Sequence, residues 1–168
     1  MKVLSCFTLL FCLLGCGYHF PGQGGALPGG VEKLYIPLFI NKTAEPRLET
    51  TMTSQVSEVF SRNNKIDQVE KQKDAEAVLE GTVRDYESHA LSYDKNDDIG
   101  VYLLRLSIDV VLRQVETNQV LWEGTVKWRE EYSAASDKNI QEVARQLALE
   151  RLIYHLSEEL LYRLLDDF

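Results

Sequence analysis

From Tyr102 to Leu112 every second residue is apolar. Tyr102, Leu104, Leu106, Ile108, Val110 and Leu112 share one parity, and Arg105, Ser107, Asp109 and Arg113 share the other. A period of two over this length fits an extended strand, whose successive side chains point to opposite faces. It also dictates a sheet with one buried face and one mostly wet face, an arrangement that antiparallel pairing tolerates. The segment Val120 to Tyr132 repeats the pattern. Val120, Trp122, Gly124, Val126 and Trp128 oppose Leu121, Glu123, Thr125, Lys127 and Arg129. A turn over Glu116–Gln119 joins the two segments, which predicts an antiparallel ribbon with Trp122 and Trp128 in its core.

The remaining elements follow from the same patterns. Asp74 to Tyr86 sets Ala75, Ala77, Leu79, Gly81 and Val83 against Glu76, Val78, Glu80, Thr82 and Arg84, a further strand in which Gly81 marks a bend. The polar run His89 to Gly100 reads as a loop. Lys33 to Phe39 places Leu34, Ile36 and Leu38 on one side, and Pro37, which lacks a backbone donor, assigns this strand to an edge or a bulge. Pro46 suits a first helical turn, and Leu48, Met52, Val56, Val59 and Phe60 form one stripe up to about Arg62. Asp137 caps a second helix with no Gly or Pro before Leu165, about 29 residues or roughly 43 Å. Its second half carries more apolar residues than a stripe requires, with Tyr154, Leu161 and Leu165 as surplus. The order strand-helix-strand-strand-strand-helix predicts an α+β fold: a two-layer α/β sandwich with two helices on one face of a four-stranded mixed sheet.

The amino end carries a different message. Lys2 precedes an apolar run from Val3 to Leu14, too short to span a bilayer but suited to a secretory signal. It closes on Leu13-Leu14-Gly15-Cys16, which resembles the bacterial lipoprotein signal, in which the Cys thiol receives a diacylglyceryl group and the new amine is acylated. The expected organisation is a signal peptide over 1–15, the lipidated Cys16 with a flexible tether over 16–30, and a single domain over 31–168. Gly17 to Gly30 holds six Gly and two Pro, with a random-coil reach of roughly 20 Å and a limit near 48 Å. Gly17, where an Asp would resemble an inner-membrane retention signal, points to the outer membrane. Cys6 and Cys12 fall in the signal, so the mature domain is expected to hold no disulfide, thiolate metal or Cys nucleophile.

Charge excludes one class of partner. The net charge is −8, and −9 without Lys2, the opposite of the basic footprint that nucleic acid demands. No catalytic site is legible. His19, His89 and His155 lack metal-ligand spacing, and the tether glycines follow no strand, so they form no phosphate cradle. The reading is of a non-enzyme without cofactors. Arg105, Arg113, Lys127 and Arg129, with Arg84, project from the polar side of the ribbon. They either grip phosphates or pair across strands with Asp109, Glu123 and Glu80.

The tether and first strand carry a more specific pattern: Cys16-Gly17-Tyr18-His19-Phe20, Leu27-Pro28-x-Gly30-Val31, Leu34-Tyr35-Ile36-Pro37-Leu38-Phe39-x-Asn41-Lys42-Thr43 and Glu45-Pro46-Arg47-Leu48-Glu49. With Ala77-Val78-Leu79-Glu80-Gly81, Val120-Leu121-Trp122-Glu123-Gly124 and the long last helix, it resembles the LptE lipopolysaccharide-assembly lipoprotein family. The resemblance implies a lipid-anchored outer-membrane plug inside a large β-barrel, LptD. Such a plug aids assembly of the barrel and binds lipopolysaccharide for insertion into the outer leaflet. Arg105, Lys127 and Arg129 are the candidate contacts to its phosphates, chosen from their place on the sheet and not from a family motif. The alternative is a tethered lipoprotein that activates a periplasmic cell-wall synthase or joins a secretion apparatus.

Overall fold

The computed structural model describes residues 26–166 apart from 94, 96 and 97. Cys16, the signal and most of the tether lie outside the described residues.

Two helices form one layer. Helix α1, Leu48–Ser61, buries Leu48, Met52, Val56, Val59 and Phe60, the stripe its period requires. The turn leading into it is built by Asn41. Its Oδ1 accepts from the Thr43 N–H (2.9 Å) and hydroxyl (2.8 Å), while its Nδ2 donates to the Glu45 carbonyl (2.8 Å) and to Glu49 (3.0 Å). Helix α2, Lys138–Asp166, starts where the Asp137 carboxylate accepts the N–H groups of Asn139 and Ile140, satisfying donors that the first turn cannot. From Ala148 onward its buried stripe runs through Leu152, Leu156 and Leu160 to Leu164. Ser157, the one polar side chain in that stripe, donates to the Ile153 carbonyl at 2.8 Å and so enters the core with its hydroxyl satisfied.

The sheet has six strands, a correction to the expected four. They are β1 Lys33–Tyr35, β2 Ile40–Asn41, β3 Asp67–Gln68, β4 Ala77–Tyr93, β5 Ile99–Gln114 and β6 Val120–Ser133. The order is β3-β1-β4-β5-β6, with β2 also on β4. Pairings of β1 and β2 are parallel and those within β4-β5-β6 antiparallel, so the sheet is mixed. The extra strands have a physical source. Pro37 splits the expected first strand into β1 and β2, and β3 then covers β1, so the broken strand is not the edge at that level. Beyond Pro37 the alternation reverses: Phe39 is buried and Leu38 exposed. The Phe39 ring lies over Gly81, where a Cβ would sit 2.2 Å from it, so this glycine provides room for an aromatic ring and not merely a bend.

The expected loop at 89–100 is mostly strand. Val83 faces Ile108 but Asp85 faces Ser107, which makes Arg84 the extra residue of a β-bulge. One inserted residue exchanges the two faces. Up to Thr82 the even positions lie on the open face; after the bulge the odd positions Asp85, Glu87 and His89 do. The strand continues, but its sequence pattern breaks at that point.

Both helices cover the same face, and the core fills the space between the layers, with Phe60, Leu79, Ile108, Leu112, Leu152 and Leu156 fully buried. Trp122 packs against this core, whereas Trp128, at the edge strand, stays partly exposed beside His155, ring centroids 5.6 Å apart. Burial extends ahead of Val31. Leu27 and Pro28 are buried, and Gly29 and Gly30 turn the chain with φ of +74° and +70°. The surplus apolar surface expected on the last helix is displaced. Tyr154 and Leu161 pack on the core and Leu165 is buried, while Ile140, Val143 and Leu147, in the half read as amphipathic, are exposed.

Candidate functional site

On the face of the sheet opposite the helices Val78 and Leu103 are buried but most side chains are not, and they lie in rows set by register. One row runs Ile40, Thr82, Asp109, Thr125; the next places Asp85, Ser107 and Lys127 side by side; the next Glu87, Arg105 and Arg129. Ion pairs claim part of this surface. Arg84 reaches Asp109 at 3.1 Å, and Asp109 also accepts the Thr125 hydroxyl at 2.7 Å. Arg113 lies 3.7 Å from Glu80. Cross-strand pairing therefore accounts for Arg84 and Arg113.

The three expected contact residues behave differently. Arg105 touches a carboxylate only at 3.9 Å, on Glu87. Among the described residues neither Lys127 nor Arg129 has an ion pair. Arg105 stands directly opposite Arg129, with Lys127 in the adjacent row. Like charges directly opposite one another destabilise a sheet; with Asp85 and Glu87 in the same two rows, these three cations leave a local surplus of one positive charge that an anion could meet. They line a depression of about 760 Å³ together with Asp85, Glu87 and Ser107. Asp85 and Glu87 were not singled out in the sequence because they follow the Arg84 bulge. The reversal of parity at that residue is the signal that reveals them.

A second polar cluster fixes the height of the helix layer against this face. The Arg145 guanidinium donates to Glu45 (3.0 Å), the Tyr86 hydroxyl (2.9 Å) and Glu142 (2.7 Å), joining α2 to β4 and to the turn before α1. Its hydrogen bond to Glu142 and those to Glu45 and Tyr86 outweigh the cost of burial and raise its pKa further. Glu142 is lowered by the same bond, and Tyr86 is raised, chiefly by burial. This cluster is structural, since its hydrogen bonds close among Arg145, Glu45, Tyr86 and Glu142. Of the histidines, His89 faces Leu103 across β4 and β5 and His155 packs on Trp128. No group of metal ligands occurs among the described residues, and no helix among them is long and apolar enough to cross a membrane.

An open mixed sheet backed by two helices on one face defines a class of small α+β domains. The solution structure of lipoprotein B from Nitrosomonas europaea has this fold, with TM-score 0.62 and 16% identity over 89% of this chain and 91% of that one. So does rare lipoprotein B from Shewanella oneidensis, with TM-score 0.56 and 14% identity over 77% and 91%. A Xanthomonas campestris protein shares it at TM-score 0.62 and 15% identity over 86% and 89%. No curated protein matches the sequence. The LptE lipopolysaccharide-assembly family matches residues 31–164, and the chain belongs to that family.

Proposed function

We propose that this chain is a lipoprotein anchored through Cys16 on the periplasmic side of the outer membrane. It plugs an LptD-like β-barrel, aids assembly of that barrel and binds lipopolysaccharide for insertion into the outer leaflet. The observation that carries the binding role is the juxtaposition of Arg105, Lys127 and Arg129. Three cations with one distant carboxylate contact suit clustered phosphates, which Arg and Lys grip through charge-assisted hydrogen bonds. Family membership and the dimensions of the sheet support the plug. β4 has 17 residues, roughly 55 Å of strand, against a hydrocarbon core of about 30 Å. A large barrel has a polar lumen, and the exposed surface of a net −8 chain is compatible with one.

Affinity purification of the full-length lipidated protein tests the partner. One large β-barrel at equal stoichiometry is the expected result; a peptidoglycan synthase or secretion component in its place would favour the alternative reading. Replacing Arg105, Lys127 and Arg129 together by Gln tests the ligand. Lipopolysaccharide retention falls while the thermal midpoint holds or rises, since these exposed cations repel one another. Unchanged retention would return them to the ordinary charged surface.

A further inference from the structure

Leu38 and Ile40 are 62% and 59% exposed, on an open stretch of the sheet that no helix covers. Ile40 begins the row that continues through Thr82 and Asp109 to Thr125, and Lys127 follows Thr125 on the same face of β6. The exposed aliphatic edge and the cations therefore share one surface, roughly 16–20 Å apart once strand spacing and the offset along the strands are combined. The interval between them is electrically quiet, because Arg84 and Thr125 hold Asp109. The aliphatic stem of Arg84 can carry hydrocarbon while its charged head stays in water.

The aliphatic edge is also held in place. Phe39, between the two exposed residues, is locked by its ring over Gly81 and by its N–H donating to the Thr53 hydroxyl at 2.9 Å. Asn41 and Thr43 fix the chain beyond Ile40. Two large aliphatic side chains are thus presented to the outside by a loop with little freedom to withdraw them. A phosphate ligand without hydrocarbon would use only the far side of this surface, whereas an anionic amphiphile would use both.

We propose that Leu38 and Ile40 receive the fatty acyl chains of the ligand whose phosphates meet Arg105, Lys127 and Arg129. This rests on the reading that those three residues bind lipopolysaccharide. The test places a photo-crosslinking residue at Leu38, Ile40, Arg105 or Thr117 of the full-length protein in living cells, with mass spectrometry to locate each bond. Positions 38 and 40 are expected to attach to the hydrocarbon of lipopolysaccharide and position 105 to its phosphorylated sugars. Thr117, in the distant β5–β6 turn, should attach to neither. The hydrocarbon adducts should drop to the Thr117 level when Arg105, Lys127 and Arg129 are all Gln. Adducts from 38 and 40 to the barrel alone, or to the sugars, would overturn the acyl assignment while position 105 still labels. Absence of lipopolysaccharide adducts at 105 would instead remove the phosphate reading and the acyl assignment with it.

Discussion

At the scale of single residues, small side chains and lone carboxylates hold features that hydrophobicity alone does not show. Gly81 is the clearest case. Any Cβ there would collide with the Phe39 ring, so Gly81→Ala forces the ring off the sheet and should destabilise the fold by about 1–3 kcal/mol. Chemical denaturation measures the loss, and Phe39→Leu in the same chain should recover part of it. Glu76 is a second case. Its carboxylate accepts the backbone N–H groups of Glu32 (2.8 Å) and Lys33 (3.2 Å), tying the start of β1 to the start of β4. Those bonds favour the charged form and lower its pKa below the ordinary value of 4.5. A carboxylate lowered on folding contributes stability above its unfolded pKa and loses it as pH falls through the folded one. Glu76→Gln should therefore melt below the wild type at pH 7, and the gap should narrow in thermal melts as the pH is taken below the ordinary carboxylate value and through the lowered folded one. A gap independent of pH would show that the charge of Glu76 is not what matters.

At the scale of elements, the helices were legible and the strand ends were not. The α1 stripe and the Asp137 cap stand in the structure where the pattern puts them, because a period of 3.6 is a local property that packing against any flat layer preserves. β4 runs on to Tyr93, beyond the Tyr86 at which the pattern predicts its end, because alternation fails where Arg84 bulges. The bulge keeps Tyr86 on the helix side, where its hydroxyl accepts from Arg145, and sends Glu87 to the open face beside Arg105. Deleting Arg84 should restore unbroken pairing and exchange the faces of everything after it. Tyr86 would then leave Arg145 and Glu87 would enter the core side. The expected outcome is loss of the cooperative thermal transition, whereas Arg84→Ala, which keeps the bulge and removes only an exposed ion pair, should shift the midpoint little.

At the scale of the whole molecule, burial reaches into the stretch expected as tether. Leu27 and Pro28, ahead of Val31, are buried with the core. The sequence by itself determined the composition of the layers, the two helices, the amphipathic ribbon and the resemblance that family membership confirms. All of these rest on local periodicity or short motifs. Only the tertiary structure decided which cations are unpaired, that Arg105 faces Arg129, and that Leu38 and Ile40 lie on the same surface as both. Those relations join residues as far apart as 38 and 129 through strand register, and register is fixed by Pro37, the Arg84 bulge and the core, none of which can be read from the segment it aligns.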